Sequence, residues 1–132
     1  MKSTVKTYQQ KRPFEARYRW FSGSFAWALH RVTGLALILY LALHVYSVST
    51  LARGAESFDA LMKIYASPLF KVGEVLIWGA FVFHALNGIR VVWMDFWGGS
   101  MIHKKLFVGV FVLSAILFAL GAYGMLRHSF GG

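Results

Sequence analysis

Three runs of almost uninterrupted apolar side chains, at about residues 28–50, 72–94 and 106–126, decide what this chain can fold into. Each approaches the roughly 20 residues an α-helix needs to cross the hydrocarbon core of a bilayer. In lipid a lone segment must satisfy its own backbone polar groups, which a helix does and an isolated strand does not. With 58% hydrophobic and only 14% charged residues among 132, the chain is more apolar than a soluble domain of its size. The expected fold is an all-α membrane protein, a single membrane-anchor domain with three transmembrane helices. Residues 1–27 form a cytoplasmic arm in this reading, and its aromatic section, Tyr18, Trp20, Phe21, Phe25 and Trp27, settles at headgroup level.

The first apolar run starts late and is too long for the h-region of an export signal, so the N-terminus is expected to be retained. Cysteine is absent, which excludes thiolate ligation of an iron-sulfur cluster, disulfides and redox thiols. A net charge of +9 raises the question of nucleic acid, but the charges segregate as in a membrane protein. With the N-terminus cytoplasmic, Lys2, Lys6, Lys11, Arg12, Arg17, Arg19, Arg31, Arg90, Lys104 and Lys105 fall at one face, against Arg53, Lys63, Lys71 and Arg127 at the other. That is the positive-inside pattern of a multi-pass protein of the inner, cytoplasmic membrane, with lipid rather than nucleic acid as its surroundings.

The connections carry weaker signals. Phe58, Leu61, Met62 and Tyr65 recur at i, i+3, i+4 and i+7 ahead of Pro68, the pattern of a short interfacial helix on the outer side. Asp95 to Lys105 reads as a glycine-containing cytoplasmic turn, and Gly131-Gly132 as a frayed end.

Chemistry enters through ionisable residues at membrane depth: His30, Arg31, His44, Glu74, His84 and Arg90. Such groups turn toward neighbouring helices, water or a cofactor, and more of them are present than three helices can bury. A second hydrophobic subunit is therefore expected to complete the bundle. His84 has Ala80 and Gly88 one turn away on either side, which leaves room either for a flat macrocycle or for the close approach of another helix. A neutral imidazole is a common axial ligand of haem iron. Arg90, six residues or ~9 Å further toward the cytoplasm, and Arg31 beside His30 suit either the propionates of such a group or lipid phosphates.

Leu29-His30-Arg31-Val32-Thr33-Gly34 on the first span, with His84-Ala85-Leu86-Asn87-Gly88-Ile89-Arg90 and Asp95 on the second, closely resembles the cytochrome b membrane-anchor subunit of succinate:quinone oxidoreductase. The likeness covers about residues 20–97, and the third span matches only in hydropathy. The resemblance implies a non-catalytic, haem b-binding anchor of succinate dehydrogenase, an enzyme of the tricarboxylic acid cycle. His84 would be an axial ligand of the haem iron, the second anchor subunit would supply the other, and His30 and Arg31 would lie near the propionates. It implies a flavoprotein subunit and an iron-sulfur subunit as partners, electron transport to membrane quinone, and Arg31 and Asp95 at the quinone pocket. Many members carry, four residues before the arginine of the first motif, a serine that bonds the quinone carbonyl. Here Trp27 stands there, either to stack on the quinone or donate its indole N–H or to anchor at the interface. Ser24, seven residues before Arg31, would substitute in the quinone site only if the helix or quinone shifts.

His44 is a further candidate. It stands 14 residues after His30 on nearly the same helical face, ~21 Å along the axis, a spacing that resembles stacked-haem cytochromes. From the span limits above, His44 is ~25 Å and His84 ~15 Å from the cytoplasmic side, too far apart to share one haem. His44 therefore either holds a second haem or bonds within the bundle, giving one haem or two. Glu74 pairs with Lys71 or serves proton conduction. The alternative function is a haem-free structural anchor for a peripheral dehydrogenase, with His84 serving only in packing.

Overall fold

The computed structural model describes residues 13–97 and 102–130, and side chains within 23–97 and 102–128. Helix α1 covers Pro13–Ser49, a 3-10 turn covers Thr50–Arg53, α2 covers Ala55–Tyr65, α3 covers Pro68–Trp97 and α4 covers His103–Phe130. Within the described residues three segments are long and apolar enough to cross a membrane: Gly23–Arg53, Pro68–Trp97 and His103–His128. No strand occurs among them.

Each expected span lies inside a longer helix. The largest difference is at the N-terminal side, where α1 runs for 37 residues, about 55 Å. No break separates the aromatic section from the span, so the described part of the expected arm is the first turns of α1 itself. Pro13 suits a first helical turn because its missing N–H is one of the donors a helix leaves unpaired there. Hydropathy marks where hydrocarbon ends, whereas backbone hydrogen bonding continues past that boundary. The turn after the second span is likewise shorter than expected, since α3 continues to Trp97 and α4 starts at His103. Residues 1–12, the glycines of that turn and Gly131-Gly132 lie outside the described residues.

Beyond its C-terminal end α1 closes through Gly54, whose φ of 107° is reached without strain only by glycine. Helix α2 forms where the apolar repeat placed it, and Phe58, Leu61, Met62 and Tyr65 are its half-buried residues while the rest are exposed. Ser47 donates to the Leu43 carbonyl at 2.7 Å, so the Tyr65 hydroxyl 2.8 Å away donates to Ser47. Tyr65 also packs on Phe70 at 4.7 Å between ring centroids. One phenol thus ties α2 to the end of α1 and the start of α3.

Helix α3 is the middle of the bundle, packed on α1 along one side and on α4 along the other, whereas α1 and α4 barely touch. The α3–α4 seam is held by aromatic side chains seated on glycines. The Trp78 indole N–H donates to the Leu117 carbonyl at 3.2 Å, and a Cβ on Gly121 would fall within that indole. Phe118 occupies the space a Cβ on Gly79 would need. Small residues that let helices approach are the usual means of packing in lipid, where burial of apolar surface gives no drive. Accordingly, Ala26, Val82 and Phe83 are the buried apolar residues among those described, while side chains such as Leu35, Ile38, Leu39, Leu76 and Leu120 point outward. An outward apolar surface around a mostly polar interior is the distribution expected of a chain whose solvent is lipid.

Candidate functional site

Polar side chains gather where α1 crosses α3. The imidazoles of His30 and His84 stack face to face, with centroids 3.9 Å apart and planes 6° from parallel. Two glycines make this possible. A Cβ on Gly34 would stand 3.0 Å from His84 Cε1, and one on Gly88 would stand 3.6 Å from His30 Cε1. Each helix therefore offers a glycine to the other helix's ring. The room that spacing opens beside Gly88 is taken by His30, so on that side the small residues serve helix approach.

The stack places His30 and His84 at one level of the bundle. Span limits drawn from hydropathy had left His30 at the entrance and His84 some ~15 Å deep. The difference follows from α1, which begins at Pro13 and carries His30 well into the helix.

The hydrogen bonds of His84 converge on one ring nitrogen. Nδ1 lies 3.1 Å from the His30 carbonyl and 3.2 Å from Thr33 Oγ1. A carbonyl oxygen only accepts, so Nδ1 carries the proton and the lone pair of the neutral ring resides on Nε2. Nε2 stands outside this network. Thr33 is buried, and its hydroxyl also lies 2.8 Å from the Leu29 carbonyl and 3.0 Å from that of His30. On His30, Nδ1 is buried without a hydrogen-bond partner. Among the described residues no group of three or more His, Asp or Glu is arranged to hold a metal ion. A metal at Nε2 would therefore draw its remaining ligands from elsewhere.

The other expected site residues are dispersed. Arg31 is exposed, with its guanidinium 4.0 Å above the Trp27 ring one turn earlier. Trp27 and Ser24 are exposed on the same stretch of α1, and Asp95 is exposed near the end of α3 beside Trp93, Phe96 and Trp97. His44 is exposed on α1, its ring 5.7 Å from Tyr40. Glu74 is exposed on α3.

Arg90 differs most from expectation. It is buried, donates to Asn87 Oδ1 at 3.0 Å, and has its guanidinium carbon 5.5 Å from the Phe107 ring of α4. Its partners therefore belong to the α3–α4 side of the bundle, not to the His30–His84 stack. Six residues advance a helix by 600°, which leaves Arg90 about 120° around α3 from His84. Arg90 Nε is buried without a partner, as is Ser114 Oγ on α4. Asn87, only 2% exposed, is the side chain that satisfies this guanidinium. Asn87→Leu is expected to destabilise the chain by about 1–3 kcal/mol, because a buried charged donor loses its acceptor. Thermal melting of the purified assembly checks this, and the double change with Arg90→Met should recover part of the loss.

Sequence reasoning gave no role to Thr33, Gly34 or Asn87, although all three lie in the stretches that carry the resemblance. Their signal was the motif itself: a hydroxyl and a glycine one residue beyond His30-Arg31, and an amide one turn after His84.

Residues 6–122 match the family described as succinate dehydrogenase/fumarate reductase transmembrane subunit. The succinate dehydrogenase 2 membrane subunit SdhC of Mycobacterium tuberculosis is 31% identical over 111 residues, 83% of this chain and 82% of that protein. The succinate dehydrogenase hydrophobic membrane anchor subunit of Halobacterium salinarum is 31% identical over 97 residues, 73% of this chain and 75% of that protein. Its counterpart in Archaeoglobus fulgidus is 32% identical over 100 residues, 76% and 83% respectively. These matches, on a chain with three span-capable helices, show that it belongs to the succinate dehydrogenase/fumarate reductase transmembrane subunit family, as a membrane-anchor subunit.

Proposed function

We propose that this anchor binds haem b through His84 and helps deliver electrons from succinate to membrane quinone. The observation that carries this reading is the hydrogen bond from His84 Nδ1 to the His30 carbonyl. Metal-bound histidines characteristically donate their second ring nitrogen to a carbonyl or carboxylate, which fixes the tautomer and aims the other nitrogen at the metal. His84 has that arrangement in advance, with Nε2 outside the network. When bound, haem b would supply one-electron redox chemistry within the membrane. A second hydrophobic subunit would supply the haem's remaining protein ligand and cover the exposed polar side chains of α1.

Arg31 and Trp27 are the residues suited to the quinone. The guanidinium, held over the indole and exposed, has donors free to meet a carbonyl oxygen. Asp95 and the aromatic end of α3 lie at the same cytoplasmic side, where the iron-sulfur subunit docks and the flavoprotein subunit is held beyond it. In this reading the N-terminus is cytoplasmic and the membrane is the inner one, as the segregation of basic residues favours.

A second reading, a haem-free anchor, draws support from the glycine seats, since they let the two imidazoles pack on each other as a helix–helix contact. The visible spectrum of the purified complex separates the two. Reduced minus oxidised spectra are expected to show b-type Soret and α bands, and their absence overturns the haem reading. A pyridine haemochrome count of one per complex assigns His44 to contacts with neighbouring helices, whereas two assigns it a haem.

A further inference from the structure

We infer that Thr33 is a positioning residue for His84, its hydroxyl acting with the His30 carbonyl to hold the ring in one tautomer and one rotation. This deepens the reading of His84 as a haem ligand and rests on it. The His30 carbonyl lies 3.1 Å from Nδ1 and the Thr33 hydroxyl 3.2 Å. The hydroxyl has one proton, which goes to a carbonyl of its own helix, Leu29 at 2.8 Å being the nearest. Its lone pairs are then left for the Nδ1 proton. Two acceptors on one N–H resist rotation of the ring more than one would.

Three further observations give the contact its direction. Thr33 is only 7% exposed, so water does not compete for the hydroxyl. Its contacts with the Leu29 and His30 carbonyls of its own helix, at 2.8 and 3.0 Å, keep the oxygen in place. The next residue, Gly34, lies so close to His84 Cε1 that a Cβ there would stand 3.0 Å away. One turn of α1 thus cradles the Nδ1–Cε1 edge of the imidazole, with the His30 carbonyl, the Thr33 hydroxyl and the bare Gly34 backbone.

Threonine hydroxyls often bond back to their own helix and do nothing else, so the test must read something that helix packing does not move. Hydrogen bonding at Nδ1–H raises the basicity of the ligating nitrogen and so favours the ferric state. In the whole purified complex, Thr33→Val is expected to raise the midpoint potential of the b haem, with about a fivefold change in the reduction equilibrium, the size of one net hydrogen bond. It should also shift the low-spin ferric resonance, while Thr33→Ser restores both and haem content stays that of the wild type. A haem-loaded Val variant with unchanged potential and resonance overturns the inference. In the wild-type complex, double resonance on the ferric haem should find the Nδ1 proton slow to exchange in deuterated buffer. A freely exchanging proton overturns the inference even if the Val variant does not assemble. A wild-type complex with no b-type bands removes the underlying haem reading instead, so the two failures are distinct.

Discussion

His84→Ala is expected to abolish the b-type Soret and α bands of the purified complex. The expectation is sharp because no other imidazole at the α1–α3 crossing has the same geometry. His30, the nearest, has its Nδ1 buried without a hydrogen-bond partner, so no carbonyl fixes its tautomer. It stacks 3.9 Å from His84, close enough to move into the space that alanine leaves. The control is therefore His30→Ala in the same background, which should remove any residual absorption. The single change has a structural cost as well: Thr33 and the His30 carbonyl lose their shared partner, and the cavity left by the ring adds to the loss. Assembly should be measured beside the spectrum. A His84→Ala complex that assembles with undiminished bands would end the proposal that His84 is an axial ligand.

Gly121→Leu is expected to prevent stable assembly. A Cβ at that position would fall within the Trp78 indole. Swinging the indole aside would break its N–H bond to the Leu117 carbonyl at 3.2 Å. Helices α3 and α4 would separate along the seam, taking Phe118 off Gly79 and drawing Phe107 away from Arg90. Overpacking of a tight interior costs about 1–3 kcal/mol where neighbours can shift, and this seam leaves them little freedom. The expected result is a complex missing from detergent extracts, or one that melts well below the wild type. Adding Trp78→Ala should recover part of the loss by reopening the space. If Gly121→Leu alone melts normally, the α3–α4 packing described above is wrong.

Much of the fold was legible in sequence, and for local reasons. Span lengths follow from hydropathy, and the inner face of α2 follows from Phe58, Leu61, Met62 and Tyr65 at helical spacing. Histidine and arginine at membrane depth flagged the site, because such residues are costly there without a role. Legibility ended where two helices had to be aligned. The apolar run alone puts His30 at the entrance of the first span, yet α1 begins at Pro13 and the ring stack puts His30 level with His84. Arg90 was expected with the histidines by proximity in sequence, and it turns to Asn87 and Phe107 instead. Thr33 was one letter of a motif until its hydroxyl was found at the His84 ring.

Hydropathy and periodicity are properties of single segments, so the sequence by itself determined three spans, one short amphipathic helix and a short roster of polar residues whose cost in lipid demands partners. Which of them are partners was decided only by tertiary structure, through the seats that Gly34 and Gly88 give to two imidazoles and that Gly79 and Gly121 give to two aromatic rings. The physical reason is that a contact between helices depends on their relative register and rotation. Those are set by where backbones approach closely, and one residue's change in register turns a side chain by about 100°.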